Sequence, residues 1–232
     1  MRMSSITPMT VLAALVLFGS VNCTAQTTTV SKPLYEPAAG TDRTKVRVVN
    51  SNRGPSQQGL PLVFVFAPDH AGTTISDQPE LYWYLSANTK MAVDISLVEV
   101  GSDTMLYEFS IDGATEGFHS LDLAKENVRL EVNKRYELNV KLVVNPKNHA
   151  QDISSSGYIK RIQAPGALAA GKDAFGTLLG SGIWYDGVAD LMKQLESKKD
   201  DADLKAARDT LLKQVGLADI VTKPAGKVQT HP

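Results

Sequence analysis

Between Lys45 and Gln163, apolar side chains recur mostly at every second position, in short runs divided by turn residues. Val46 and Val48 flank Arg47. Leu62, Phe64 and Phe66 alternate with Val63 and Val65, as in a strand buried on both faces. Leu81, Trp83 and Leu85 alternate with Tyr82 and Tyr84, and Val93, Ile95 and Leu97 with Asp94 and Ser96. Tyr107, Phe109 and Ile111 follow Gly101-Ser102-Asp103, whose turn chemistry predicts a hairpin. His119, Leu121 and Leu123 supply another strand. Tyr136, Leu138, Val140, Leu142 and Val144 form the longest, and Tyr158 to Ile162 the last. Eight such runs with no helical period among them predict an antiparallel sandwich or barrel.

One stretch favours the sandwich. Leu130-Glu131-Val132-Asn133-Lys134-Arg135-Tyr136 leads into the longest run, with an apolar Leu well upstream of the Tyr. In the tyrosine corner of immunoglobulin-type domains, the hydroxyl bonds to upstream backbone while the ring enters the core. Trp83 would be the large core aromatic of that architecture. The predicted fold is therefore mainly β: an antiparallel immunoglobulin- or fibronectin-III-like sandwich over 45–164, with Trp83 and Tyr136 as structural residues.

After Ala164-Pro165-Gly166 the period lengthens. Leu168, Phe175, Leu178 and Leu179 recur at helical spacing, weakened by Gly171, Gly176 and Gly180. Trp184, Val188, Leu191, Met192 and Leu195 form an amphipathic stripe. Leu204, Ala207, Leu211, Leu212 and Val215 form a second, ended by Gly216 where a helix-terminating glycine belongs. Two or three helices over 165–221 are too few to enclose a core alone, so they dock on the sandwich. On this wheel Trp184 is a structural anchor. Asp186 falls on the opposite, solvent-facing side beside Asp190 and Lys193, as a first-turn acid favoured by the helix dipole. Residues 222–232 read as a disordered tail.

The chain's first residues change the picture of where it works. Arg2 is the only charge before residue 26, and it precedes the apolar run Val11 to Phe18 and a small-residue exit. That order is the pattern of a secretory signal peptide over 1–25, cleaved between Ala25 and Gln26. The expected location is periplasmic or secreted. A lipid anchor on Cys23 is the rival reading, disfavoured because Asn22 stands where a smaller residue is usual. Residues 26–44, polar and carrying Pro33 and Pro37, read as a loose lead-in. The sole cysteine leaves with the leader, which excludes disulfides, thiol catalysis and zinc–thiolate or iron–sulfur sites in the mature chain. With 24 basic and 25 acidic side chains in 232 residues, the chain lacks the basic surplus of a nucleic-acid binder. It also lacks an apolar run of about 20 residues, so no transmembrane span is expected.

Candidate chemistry is sparse. Gly166 to Lys172 has the glycine–lysine spacing of a phosphate loop. Asp173, however, stands where a hydroxyl must meet magnesium, so the stretch reads as a helix start. His70, His119, His149 and His231 lack the spacing that brings two imidazoles to one metal. Asp69-His70 and His149 with Asp152 would converge on one only if their loops shared an end of the sandwich. No nucleophile elbow occurs, and Ser154-Ser155-Ser156 reads as a polar loop. Asp77, Glu80 and Asp186 are acids of the kind glycoside chemistry recruits, but no spacing singles them out. Tyr82, Tyr84 and Tyr185 are candidates for an aromatic ligand platform. The simpler reading has them covering the sheet's second face or its contact with the helices.

Several blocks occur in a familiar order. They are Arg53-Gly54, Ala67-Pro68, Gly72-Thr73-Thr74 leading to Pro79, Tyr82-Trp83-Tyr84, the tyrosine-corner stretch, Gly157 with Arg161, and Gly182-Ile183-Trp184-Tyr185-Asp186. Together the chain resembles domain of unknown function family 928 over most of its length. Gly187 and the absence of a Cys near Asn145-Pro146 depart from that family's pattern. The resemblance implies a bacterial exported protein with no assigned activity, and it transfers no catalytic residue. Arg53, Tyr82, Tyr84, Tyr185 and Asp186 are the binding candidates. The expected function is a non-catalytic binding or structural module of the bacterial envelope, without a cofactor, whose partner is a protein or an envelope component. The alternative is a periplasmic hydrolase or small-ligand carrier using loop acids and histidines.

Overall fold

Alternation along one long strand, β4 (Thr89–Glu99), organises the larger sheet. Val93, Ile95 and Leu97 are buried, while Asp94 and Ser96 between them are only partly covered. Antiparallel pairing with β7 (Arg135–Leu142) sets these three against Leu142, Val140 and Leu138, so apolar side chains stack in rows. The computed structural model describes residues 33–38, 59–102, 104–166, 168–169, 171 and 174–217, with the backbone of 229–230. All fall in the compact unit Pro33–Pro232. The leader with Cys23, Ala25 and Gln26, the Val46–Val48 strand and Arg53 lie outside the described residues.

The remaining strands are β1 (Val63–Val65), β2 (Gly72–Thr74), β3 (Glu80–Leu85), β5 (Thr104–Ala114), β6 (Gly117–Asp122), β8 (Ile153–Arg161) and β9 (Gln229–Thr230). The helices are α1 (Phe175–Gly180), α2 (Trp184–Ser197) and α3 (Ala202–Gln214). The strands form a five-stranded sheet, β2-β8-β7-β4-β5, and a four-stranded sheet, β1-β3-β6-β9. The protein is therefore mainly β, with two sheets and three C-terminal helices.

The expected purely antiparallel order does not hold. β2 joins β8 in parallel at one edge of the larger sheet, and β9 joins β6 in parallel. A parallel pair needs a long crossover, so no local pattern announces it. Ser154-Ser155-Ser156 is not a loop but the start of β8. Ser155 is 1% exposed, and its hydroxyl accepts the Val65 N–H at 3.0 Å. A polar run can enter a core when its hydroxyls find backbone partners there. The first helix is shorter than its period suggested, since Leu168 lies outside α1.

The smaller sheet is covered on both faces. Along β3, Leu81, Trp83 and Leu85 face the other sheet, and Trp83 stacks on His119 of β6 with ring centres 4.1 Å apart. Tyr82 and Tyr84 face the helices. Glu80, on their side of the strand, pairs with Lys193 of α2 at 3.1 Å. The tyrosine corner is formed: Tyr136 is 1% exposed and its hydroxyl accepts the Glu131 N–H at 2.7 Å. Where β8 crosses β1 there is room only for glycine. A Cβ on Gly157 would lie 2.6 Å from Ala67 Cβ and 2.9 Å from Val65 Cγ1.

Two substitutions test this packing by denaturant midpoint. Gly157→Ala should destabilise by about 1–3 kcal/mol, because the clashing groups, Val65 on β1 and Ala67 just beyond it, are fully buried and have little room to yield. Tyr136→Phe should cost about 1 kcal/mol by orphaning the Glu131 N–H. A wild-type midpoint for Gly157→Ala would mean the two sheets do not cross where described.

Candidate functional site

Helix α1 ends in a tight reversal that launches α2. Gly182, at φ +83°, donates its N–H to the Leu179 carbonyl, and Ile183 donates to Leu178. Both bonds satisfy carbonyls that the helix end would otherwise leave bare, and the left-handed backbone favours glycine. A Cβ there would also stand 2.5 Å from the Ala38 nitrogen, so position 182 excludes side chains twice over. Helix α2 then starts abruptly, and every residue from Trp184 to Ala189 is buried. Gly187 is part of this enclosure: a Cβ would lie 2.7 Å from Leu179 Cγ. That contact accounts for glycine where a helix would prefer alanine.

Three consecutive side chains leave this turn for three different places. The Trp184 indole N–H donates to the Phe66 carbonyl at 3.0 Å. The Tyr185 hydroxyl donates to the Tyr158 carbonyl of β8 at 2.9 Å. Asp186 accepts the N–H groups of Ile75, at 3.0 Å, and Ser76, at 3.2 Å, just past β2. Asp186 is 6% exposed, not solvent-facing as the helical wheel predicted. The wheel assumes one covered face. Here α2 begins between α1, β2 and β3, and its first turns are covered all round. Burial raises the Asp186 carboxyl above the usual carboxylate range, against hydrogen bonds from Ile75, Thr74 and Ser76 that pull it back.

A second polar chain lies against the same helix. The Tyr35 hydroxyl is 2.9 Å from His70 Nε2, and His70 Nδ1 is 3.0 Å from Asp69 Oδ1. The Tyr35 ring meets Trp184 edge-on at 4.8 Å. Gln214 of α3 brackets the Tyr35 backbone through both its N–H and its carbonyl. Residues 33–38, read from sequence as a loose lead-in, are thus docked on the helices. An acid, an imidazole and a phenol in series have the order of a proton relay, but this one points inward. The phenol end is buried, and Asp69 is the exposed end, at 47% of its side chain.

The other sequence candidates are scattered. Tyr82 and Tyr84 are each 1% exposed and Tyr185 2%, so the three tyrosines form no open platform. Burial pushes the Tyr82 and Tyr185 hydroxyls well above the usual phenol range and raises that of Tyr84. His70 and His149 do not converge: His149 bonds Asp152 at 2.9 Å, and His70 bonds Tyr35 and Asp69. His119 stacks on Trp83 and lies 2.9 Å from the Thr115 carbonyl. Among the described residues no group of three or more His, Cys, Asp or Glu is placed to hold a metal, and no helix is long and apolar enough to cross a membrane. Tyr35 went unmarked in the sequence, and Thr73 and Thr74 figured there only as part of a family block. Tyr35 sits alone between prolines, with no period to flag it.

The family described as Domain of Unknown Function (DUF928) matches residues 40–225. The chain belongs to that family. Neither a curated protein nor a solved structure matches it.

Asp186 gives a signed prediction. The folded state holds its proton to higher pH than the unfolded chain does, so its contribution to stability declines as pH rises through the raised value. The stability difference between wild type and Asp186→Asn should therefore shrink as pH rises from about 4 towards 7. A difference that grows with pH would show that the hydrogen bonds outweigh burial. Asp186→Ala, which strands two partly buried donors, should cost about 2–3 kcal/mol by thermal or chemical melt. An exposed first-turn acid would cost only about 0.3–1 kcal/mol.

Proposed function

We propose that this protein is an exported, non-catalytic binding or structural module of the bacterial envelope. One observation carries the non-catalytic half: the buried acids and histidines, with Tyr185, are turned to the protein's own backbone or to one another. Asp186 serves Ile75 and Ser76, His70 serves Tyr35 and Asp69, Tyr185 serves Tyr158, and Asp152 serves Val144 and His149. A general acid or base must instead present its proton or lone pair to a substrate.

Export is read from the leader pattern, with Arg2, the apolar run Val11 to Phe18 and the Ala25–Gln26 junction. The Tyr136–Glu131 corner supports placing the sandwich with immunoglobulin- and fibronectin-III-like domains, an architecture frequent in surface proteins. The partner is then another protein or an envelope component.

The hydrolase alternative has one specific observation in its favour, the Asp69–His70–Tyr35 series with its exposed acid. Expression of the full chain in a bacterial host, followed by intact-mass measurement, tests export: the expected species begins at Gln26 without acyl chains. A mass carrying lipid on Cys23 would make it a lipoprotein, and a mass retaining Met1 would overturn export. A panel of ester, glycoside and phosphoester substrates tests the rest. No turnover is expected, whereas turnover lost in a folded His70→Ala variant would establish the enzyme.

A further inference from the structure

The edge of the five-stranded sheet is built to receive another strand. β5 spans eleven residues and is the outermost strand, paired with β4 on one side and with no described strand on the other. Its inward side chains Tyr107, Phe109 and Ile111 are only half-buried, although their partners Leu97, Ile95 and Val93 are at most 1% exposed. The apolar face therefore runs past the cover that the rest of the sandwich supplies. Two of the three exposed large hydrophobics among the described residues, Val100 at 36% and Met105 at 50%, flank the turn that begins β5. Among the described residues, an open backbone edge and a half-covered apolar row coincide on one strand.

Charge selects the occupant. On the outward face of β5, Glu108 and Asp112 are exposed, no ion pair is formed by either among the described residues, and the strand carries no Lys or Arg. Antiparallel pairing with a second copy, centred on Ser110, would set Glu108 against Asp112 twice, and like charges directly opposed destabilise a sheet. We propose that β5 binds an extended basic segment of another protein. Lys or Arg four residues apart would face Glu108 and Asp112, two apolar residues between them would cover Phe109 and Ile111, and a third just beyond the pair would cover Tyr107. Strand addition takes affinity from main-chain hydrogen bonds and specificity from alternate side chains. The irregularities in register at Thr89/Ala92 and Leu97/Val98 bound the regular stretch, so the docking window is Tyr107 to Asp112. This reading names the surface and partner class for the binding module proposed above and rests on that proposal only in expecting a protein partner.

The probe is the capped peptide Thr-Lys-Val-Thr-Val-Lys-Val-Thr, with a control carrying Glu in place of Lys, titrated against the mature chain with amide hydrogen exchange as readout. The Lys peptide should bind in preference to the Glu peptide by about tenfold. It should slow exchange between Tyr107 and Asp112 and weaken with added salt. The double variant Glu108→Lys/Asp112→Lys, whose exposed positions leave the melting temperature unchanged, should reverse the preference. Equal binding of both peptides, protection outside β5, or an unreversed preference would overturn the assignment. So would a wild-type dimer protected along β5, which would make the occupant a second copy. Failure to bind either peptide would also remove β5 as the docking edge. The non-catalytic reading would be untouched, because the substrate panel and intact mass test it separately.

Discussion

A single helical turn ties the three layers together. Trp184, Tyr185 and Asp186 follow one another at the start of α2, and each spends its polar group on a different piece of backbone: Phe66, Tyr158, and the pair Ile75 and Ser76. The net gain from each bond is modest, about 0.5–1.5 kcal/mol, but a buried group left without its partner costs about 1–3 kcal/mol. The arrangement is therefore close to all-or-none. It also explains the small residues nearby. Gly182 lets the chain reverse so that α2 starts inside the structure, and Gly187 lets α1 lie against it. The short parallel strand β2 keeps its place at the sheet edge because Thr73 reaches the Gly182 carbonyl at 2.5 Å and the next loop is held by Asp186.

This constraint changes how the Gly182–Asp186 block reads. A Gly-Ile-Trp-Tyr-Asp run with an aromatic pair and an acid invites an active-site interpretation. In the folded chain, Gly182, Trp184, Tyr185 and Asp186 each bond to a sheet strand or the loop beside it, and Ile183 closes the turn between α1 and α2. On the binding role proposed above, the surface to examine is the open edge of β5 rather than this turn.

The long strands were legible because each has one face in the core. Val93, Ile95 and Leu97, or Tyr136 through Leu142, alternate cleanly since the opposite face meets solvent or polar neighbours. Tyr136 was legible for a similar reason, as its corner is a local event a few residues long. Three-residue β2 was not, because Gly-Thr-Thr has no alternation to show and owes its place to partners far along the chain. Ser154 to Ser156 looked like a loop since hydroxyls betray nothing of where their acceptors and donors will be. Asp186 was misplaced by a wheel that grants a helix one buried side. Tyr35, tied to His70 and Gln214, depends wholly on contacts made by distant segments.

The most direct measurement is native-state hydrogen exchange at three protons: the Trp184 indole N–H and the amides of Ile75 and Ser76. If one turn of α2 joins the layers, all three should exchange only through the global opening that also releases core amides of β7, with the same free energy and denaturant dependence. Exchange of these three protons by a separate, low-energy opening, while β7 stays protected, would contradict the account. It would show that the helices leave the sheets without disturbing them.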